Sequence, residues 1–363
     1  MKLRFIAGMG LVSLMAATPA DAQIGGGILK GVDKGLKTGK AVADAKLTEA
    51  EEQQLGADVS AKLREKYGVV QDAAVHRYVT LAGTVLAEAS TRPKLRWTFV
   101  VLDTDGINAF AAPGGYIHIT RGALALIRNE AELACVLAHE IAHVTEKHTV
   151  HAIEKANTAA ALGASVTREK FLQDLANKVY AATLENKFDR NDEVKADDIG
   201  VKLADKIGYA PAGLGAFLTR LAERNRDLKE RSGIFASHPE TTDRLGVLGK
   251  LTARLKGVAL VQARYTQSVS FKPVPVKDVA QVAPPTSGTT AKPEPAQTGG
   301  SGALGLGGQS AIGREQSSSS TVASAGSRGV NPDRDAKGGP NKALVVVSVS
   351  AADVAAFRAG ITG

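Results

Sequence analysis

From Asn129 to Val144 the chain writes a helix that has to be enclosed. Asn129 and Glu132 stand at the spacing that caps a first helical turn. Leu133, Val136, Leu137, Ile141 and Val144 then spread apolar side chains over more than one face. The same stretch carries His139, Glu140 and His143, and buried polar groups need partners. Residues i and i+4 share a helix face, so the two histidines can grip one cation, with Glu140 one step round, beside a water on it. Zinc held by two imidazoles and one further ligand keeps a position open for that water and lowers its pKa. The pattern points to zinc-dependent peptide hydrolysis. A charged helix that happens to contain two histidines is the alternative.

Two histidines need a third ligand. In the scheme H-E-x-x-H-x-x-G-x-x-H the glycine and last histidine positions are Glu146 and Thr149 here, so that scheme fails. His148 falls five residues after His143, on a different face of a continuous helix, and reads as structural, as does His151. His76 and His118 are isolated and fit surface or packing positions. Cys135 shares the face of His139 but suits a small buried packing residue better than a thiolate ligand. Downstream, Glu193 and Asp197 lie at i and i+4 on a predicted helix. Glu193 could complete a His2Glu site, and Asp197 could accept a hydrogen bond from a ligating imidazole. A solvated acidic face is the competing reading, since Asp189, Asp192 and Asp198 lie nearby.

The rest of the chain sorts into regions. Residues 1–22 have a basic start at Lys2 and Arg4, an apolar run from Phe5 to Ala17, and Ala20-Asp21-Ala22. That is the form of a secretory signal peptide cleaved after Ala22, its apolar run being short for a membrane span. Export to the periplasm follows as an expectation. The formal charge of +8 falls to +7 after cleavage; it is spread along the chain, with no basic and aromatic interleaving that would suggest nucleic acid. Residues 23–46 form a Gly-rich lead with Lys30, Lys34, Lys37 and Lys40, consistent at most with peripheral attraction to an anionic surface. A single cysteine excludes an intramolecular disulfide.

Residues 47–257 are the expected globular domain. Thr48 and Glu51 form a capping box that opens a helix to about Tyr67, and a second helix covers 71–90. Strands are expected at 96–102 and 116–120, with later helices at about 150–162, 170–203 with a break, 211–225 and 241–256. The plan is α+β, mostly helical with a small sheet. Residues 258–341 are read as a low-complexity linker. From Lys272 to Asn341 there is no aromatic residue and eight of the thirteen prolines occur, a composition that cannot bury enough apolar surface to order itself. At residues 342–363, a strand-like run from Leu344 to Val349 and a short helix from Ala351 close the chain. The strand would suit docking on an exposed sheet edge, in this molecule or a partner.

Five ordered blocks go further than composition. They are Asn108-Ala-Phe-Ala-Ala-Pro-Gly-Gly-Tyr116; Thr120-Arg-Gly122; Glu132 leading to His139-Glu-Ile-Ala-His143 and His148; Glu193-x-x-Ala-Asp197; and Ser237-His-Pro239 with Arg244. Together they resemble gluzincin metallopeptidases of the CAAX prenyl protease, HtpX and BepA type, over about residues 47–255. The resemblance implies a zincin-like fold and one Zn2+ per subunit held by His139, His143 and Glu193, with Glu140 as base and Asp197 in support. It also implies that Asn108 and Ala109 belong to an edge strand that holds substrate backbone. His238 would approach the zinc and keep the enzyme latent, or else help a helix cap beside Pro239. Arg244 would stabilise an oxyanion or bind a carboxylate, with a structural salt bridge as the alternative. The implied activity is a metalloendopeptidase acting on unfolded or misassembled envelope proteins in quality control. Two alternatives are an outer-membrane assembly factor with chaperone-like action and an aminopeptidase, for which no G-x-M-E-N block is present.

Overall fold

The computed structural model describes residues 46–157, 167–185, 189–225, 241–275 and 341–362. The expected signal peptide, nearly all of the lead segment, His238 and residues 276–340 lie outside them. Helix α1 (Glu49–Tyr67) begins at the expected capping box: Glu51 N–H donates to Thr48 Oγ1 at 3.2 Å, and Thr48 N–H to Glu51 Oε2 at 2.9 Å. Helix α2 (Ala73–Ala89) is capped by Asp72, whose carboxylate accepts from Ala74 and Val75. Three strands follow, β1 (Thr98–Leu102), β2 (Ala109–Ala112) and β3 (Tyr116–Thr120). Their order is β1-β3-β2, with β3 parallel to β1 and antiparallel to β2. Between β2 and β3, Gly114 takes φ +69° where its Cβ position lies against the backbone of Glu52 and Gln53, so only glycine fits.

Both faces of the sheet are covered, and most of its strand residues are apolar. Phe99, Val101, Ala109, Ala111, Ile117 and Ile119 face one core together with α2 and helix α4 (Glu130–Thr145). Val100, Leu102, Phe110 and Ala112 face a second core under α1 and helix α6 (Arg168–Glu185). In chain order, α3 (Arg121–Leu126) precedes α4 and α5 (His148–Asn157) follows it. After α6 come α7 (Arg190–Ile207), α8 (Gly213–Arg224), α9 (Thr241–Thr252), α10 (Gln262–Ser268) and α11 (Ala351–Thr362). The fold is α+β, mostly helical with one small sheet, as expected. Helix α4 is its axis: every residue from Glu130 to Val144 is buried, among α2, α7, α8 and the sheet.

Two expectations need correction. Residues 258–275 are not linker: α10 sits there, with Tyr265 buried and its hydroxyl donating to Leu124 O at 2.5 Å. A seven-residue helix with one aromatic residue shows too little periodicity to be read from sequence, and its burial depends on neighbours far along the chain. Residues 344–349 are extended but join no sheet. Their carbonyls, with those of flanking residues, accept mostly from side chains: Arg64 to Lys342 O at 2.7 Å, Gln71 to Ala343 O at 3.2 Å and Arg77 to Ser348 O at 2.7 Å. The β-branched run reads as a strand, yet it crosses the α1–α2 connection without a ladder: Val69 there bridges Leu102 of β1, and its N–H donates to Asn341 O at 2.7 Å. Beyond it, Ser350 and Asp353 cap α11, which buries Val354, Phe357 and Ile361 against α2 and α10.

Candidate metal centre

Helices α4 and α7 cross at a glycine. A Cβ on Gly200 would lie 2.9 Å from His139 N and 3.0 Å from its Cα, so the two backbones meet here because Gly200 has no side chain. One turn back along α7 is Asp197, and one turn before that Glu193; both therefore face α4. The expected metal ligands converge. Nε2 of His139 lies 3.6 Å from Glu193 Oε2, and Nε2 of His143 lies 3.5 Å from Glu193 Oε1 and 3.1 Å from His139 Nε2. One donor atom from each of the three residues falls within 4.8 Å of the others. All three side chains are buried.

The second nitrogen of each imidazole is engaged away from this point. His139 Nδ1 is 2.9 Å from Asp197 Oδ1, the supporting contact expected of Asp197. Burial alone would push the Asp197 carboxyl up; hydrogen bonds from His139 and Arg244 overcome it and hold the group well below the usual carboxylate range. Arg244, on α9, donates through Nε and Nη2 to Asp197 at 2.9 and 2.6 Å, and its Nη1 is 3.0 Å from Glu193 Oε2. Of the readings open for Arg244, the contact seen here is the structural salt bridge. The guanidinium is a fork across two carboxylates, which positions them.

Glu140 is fully buried beside the ligands, and burial pushes its carboxyl up to about 7, the nearby Glu193 charge adding to the effect and His139 and Arg244 opposing it. That is the range in which a carboxyl both accepts and returns a proton near neutral pH. Ala109 opens β2 and Asn108 precedes it; β2 is one of the two outer strands by sheet order. Asn108 Oδ1 accepts from Ala109 N–H at 2.9 Å, and residues 109–112 are all buried. Cys135 packs against Ala210 and Pro211, and burial pushes its thiol up to about 12. His76 and His118 satisfy packing positions, on Val70 O and Ser60 Oγ, each at 2.9 Å.

One neighbour was missed. His148 Nδ1 lies 3.0 Å from His143 Nδ1, although residue i+5 of a continuous helix points elsewhere. The helix is not continuous: α4 ends at Thr145, and Lys147 takes φ +55° before α5 starts. No sequence signal marks this break, because Lys is not a residue that seeks the left-handed region.

A set of two imidazoles and one carboxylate, converging and closely supported, suits zinc by donor chemistry. With a base adjacent to it, and a helix-and-sheet frame of this kind, the site defines a zincin-type metallopeptidase domain. Residues 73–252 match Peptidase family M48. It is 30% identical over 215 residues to a "Putative beta-barrel assembly-enhancing protease" of Vibrio cholerae, covering 56% of this chain and 44% of that protein. The "Beta-barrel assembly-enhancing protease" of Escherichia coli (strain K12) is 28% identical over 214 residues, with the same two shares. The "Mitochondrial metalloendopeptidase OMA1" of Arabidopsis thaliana is 33% identical over 117 residues, covering 32% of this chain and 24% of that one. The chain thus spans less than half the length of these relatives. No helix among the described residues is long and apolar enough to cross a membrane.

Proposed function

We propose that the chain is a zinc-dependent metalloendopeptidase that cleaves unfolded or misassembled proteins of the bacterial envelope. The observation that carries this reading is the convergence of His139, His143 and Glu193 with Glu140 buried beside them. Bound zinc supplies Lewis-acid chemistry, polarising a carbonyl and making water more acidic. Glu140 takes a proton from the attacking water and returns it to the amine nitrogen as the peptide C–N bond breaks. Asp197 and Arg244 hold His139 and Glu193 in place, and the edge of β2 from Asn108 and Ala109 receives the substrate backbone as an added strand. Export through the signal peptide, with cleavage after Ala22, puts the enzyme in the periplasm. The names of the assembly-enhancing relatives support an envelope substrate. A latent resting state with His238 as regulatory ligand belongs to the same proposal, and His238 lies outside the described residues.

Replacing Glu140 by Gln tests the reading. The variant is expected to retain zinc and to cleave unfolded casein about 10²- to 10⁴-fold more slowly. Undiminished cleavage would remove Glu140 from the chemistry. If cleavage is lost while support of outer-membrane assembly is fully kept, the chaperone-like assembly role is the function and proteolysis is secondary.

A further inference from the structure

His139 and His143 are both gripped from behind, but only the support of His139 follows from the spacing of residues along a helix. Behind His143 stands His148, buried, with Nδ1 facing Nδ1 at 3.0 Å and Nε2 3.6 Å from Asp192 Oδ1. Two nitrogens at that distance require one proton between them. His143 turns its Nε2 toward Glu193 and His139, so in the metal-binding tautomer its proton is on Nδ1. His148 must then present a lone pair at Nδ1 and carry its own proton on Nε2, toward Asp192.

The chain is bent to make this contact. On a continuous helix, residue i+5 would point about 140° round from His143. Instead Lys147 adopts φ +55°, a conformation that disfavours non-glycine residues by roughly 1–2 kcal/mol. Its ammonium is fixed 2.8 Å from buried Glu52, which also pairs with Arg92 at 2.7 Å, and its carbonyl accepts from His151 N–H at 2.9 Å. Strain held by surrounding structure next to a functional group is an argument for use.

Resting on the zinc-site reading above, we propose that His148 is a positioning residue for the ligand His143: it accepts the Nδ1–H hydrogen bond that aims His143 Nε2 at the metal, and Asp192 orients it in turn. Helix α7 then serves both ligating histidines, through Asp197 for His139 and through Asp192 and His148 for His143.

The test uses the full chain with His148→Phe, which fills the space without an acceptor, and His148→Asn, whose Oδ1 can replace Nδ1. Zinc affinity is read by chelator competition, and ligand geometry by the electronic spectrum of the cobalt-loaded protein. The Phe variant is expected to bind zinc about 10- to 100-fold more weakly with an altered cobalt spectrum, and the Asn variant to recover most of the loss. A folded Phe variant with parental affinity and spectrum would overturn the proposal alone. A parent chain that takes up no zinc would instead overturn the metallopeptidase reading and this proposal with it. Should the Phe variant fail to fold, nitrogen-15 histidine spectra of the zinc-loaded parent decide: His148 must show the Nε2–H tautomer, and Nδ1–H refutes it.

Discussion

Helix α4 carries two fully buried glutamates ten residues apart, and their surroundings are opposite. Glu130, in the first turn, accepts from Tyr78 at 2.8 Å, from Tyr209 at 2.6 Å and from Arg264 Nε at 2.7 Å, with Arg264 Nη2 on its other oxygen. Its charge is matched by a guanidinium and its lone pairs by hydroxyls. Glu140 sits among carboxylates and imidazoles, and burial moves it up toward neutrality. Identical side chains at identical burial become an anchor at one end of the helix and a proton carrier at the other. Which role a buried carboxyl takes is set by the donors that tertiary packing brings to it.

Removing the anchor is the harshest way to break this contrast. Glu130→Ala strands Arg264 and two tyrosine hydroxyls, and is expected to cost about 3 kcal/mol in urea unfolding of the metal-stripped chain. A loss under about 1 kcal/mol would show the cluster to be decorative. A milder change sharpens the other end. Because the folded-state value of Glu140 lies above the ordinary 4.5, its favourable contribution is complete below about 4.5 and disappears as pH rises through about 7. Metal-stripped Glu140→Gln should therefore unfold at a higher Tm than the parent at pH 8, with the difference shrinking toward pH 4.5. An equal gap at both pH values would mean that Glu140 is not held toward its neutral form. The smallest effect concerns the reach of the anchor. Arg264 lies 3.9 Å from the Phe357 ring centroid and donates to Phe357 O at 3.0 Å, joining α11 to Glu130. Phe357→Leu keeps apolar burial but loses the ring face, and should lower stability by about 1 kcal/mol in the same unfolding assay.

The legible parts of the molecule were those whose logic is local. Thr48 with Glu51 and Asn129 with Glu132 announced two helix starts, since a cap and its partner are three residues apart. His139 with His143, and Glu193 with Asp197, announced two helix faces for the same reason. That the faces meet depends on Gly200, which carries no signal of its own. Arg264 is 134 residues from Glu130, so nothing near either residue predicts their pairing. The placing of His148 on a different face failed because a left-handed lysine breaks the helix against its own preference. Arg244 reads from sequence as an oxyanion or carboxylate binder, and its use as a fork on Asp197 and Glu193 becomes visible only with α9 in place.

Gly200 binds nothing, yet it sets the separation of the two helices that supply His139, His143 and Glu193. Coordination bonds tolerate errors of only about 0.2 Å. A single methyl at this crossing would therefore act as a spacer, widening the cage while leaving each donor chemically intact. The size of ion the protein accepts is written partly in a missing atom. Re-tuning the site for a larger cation would begin at this crossing rather than at the histidines.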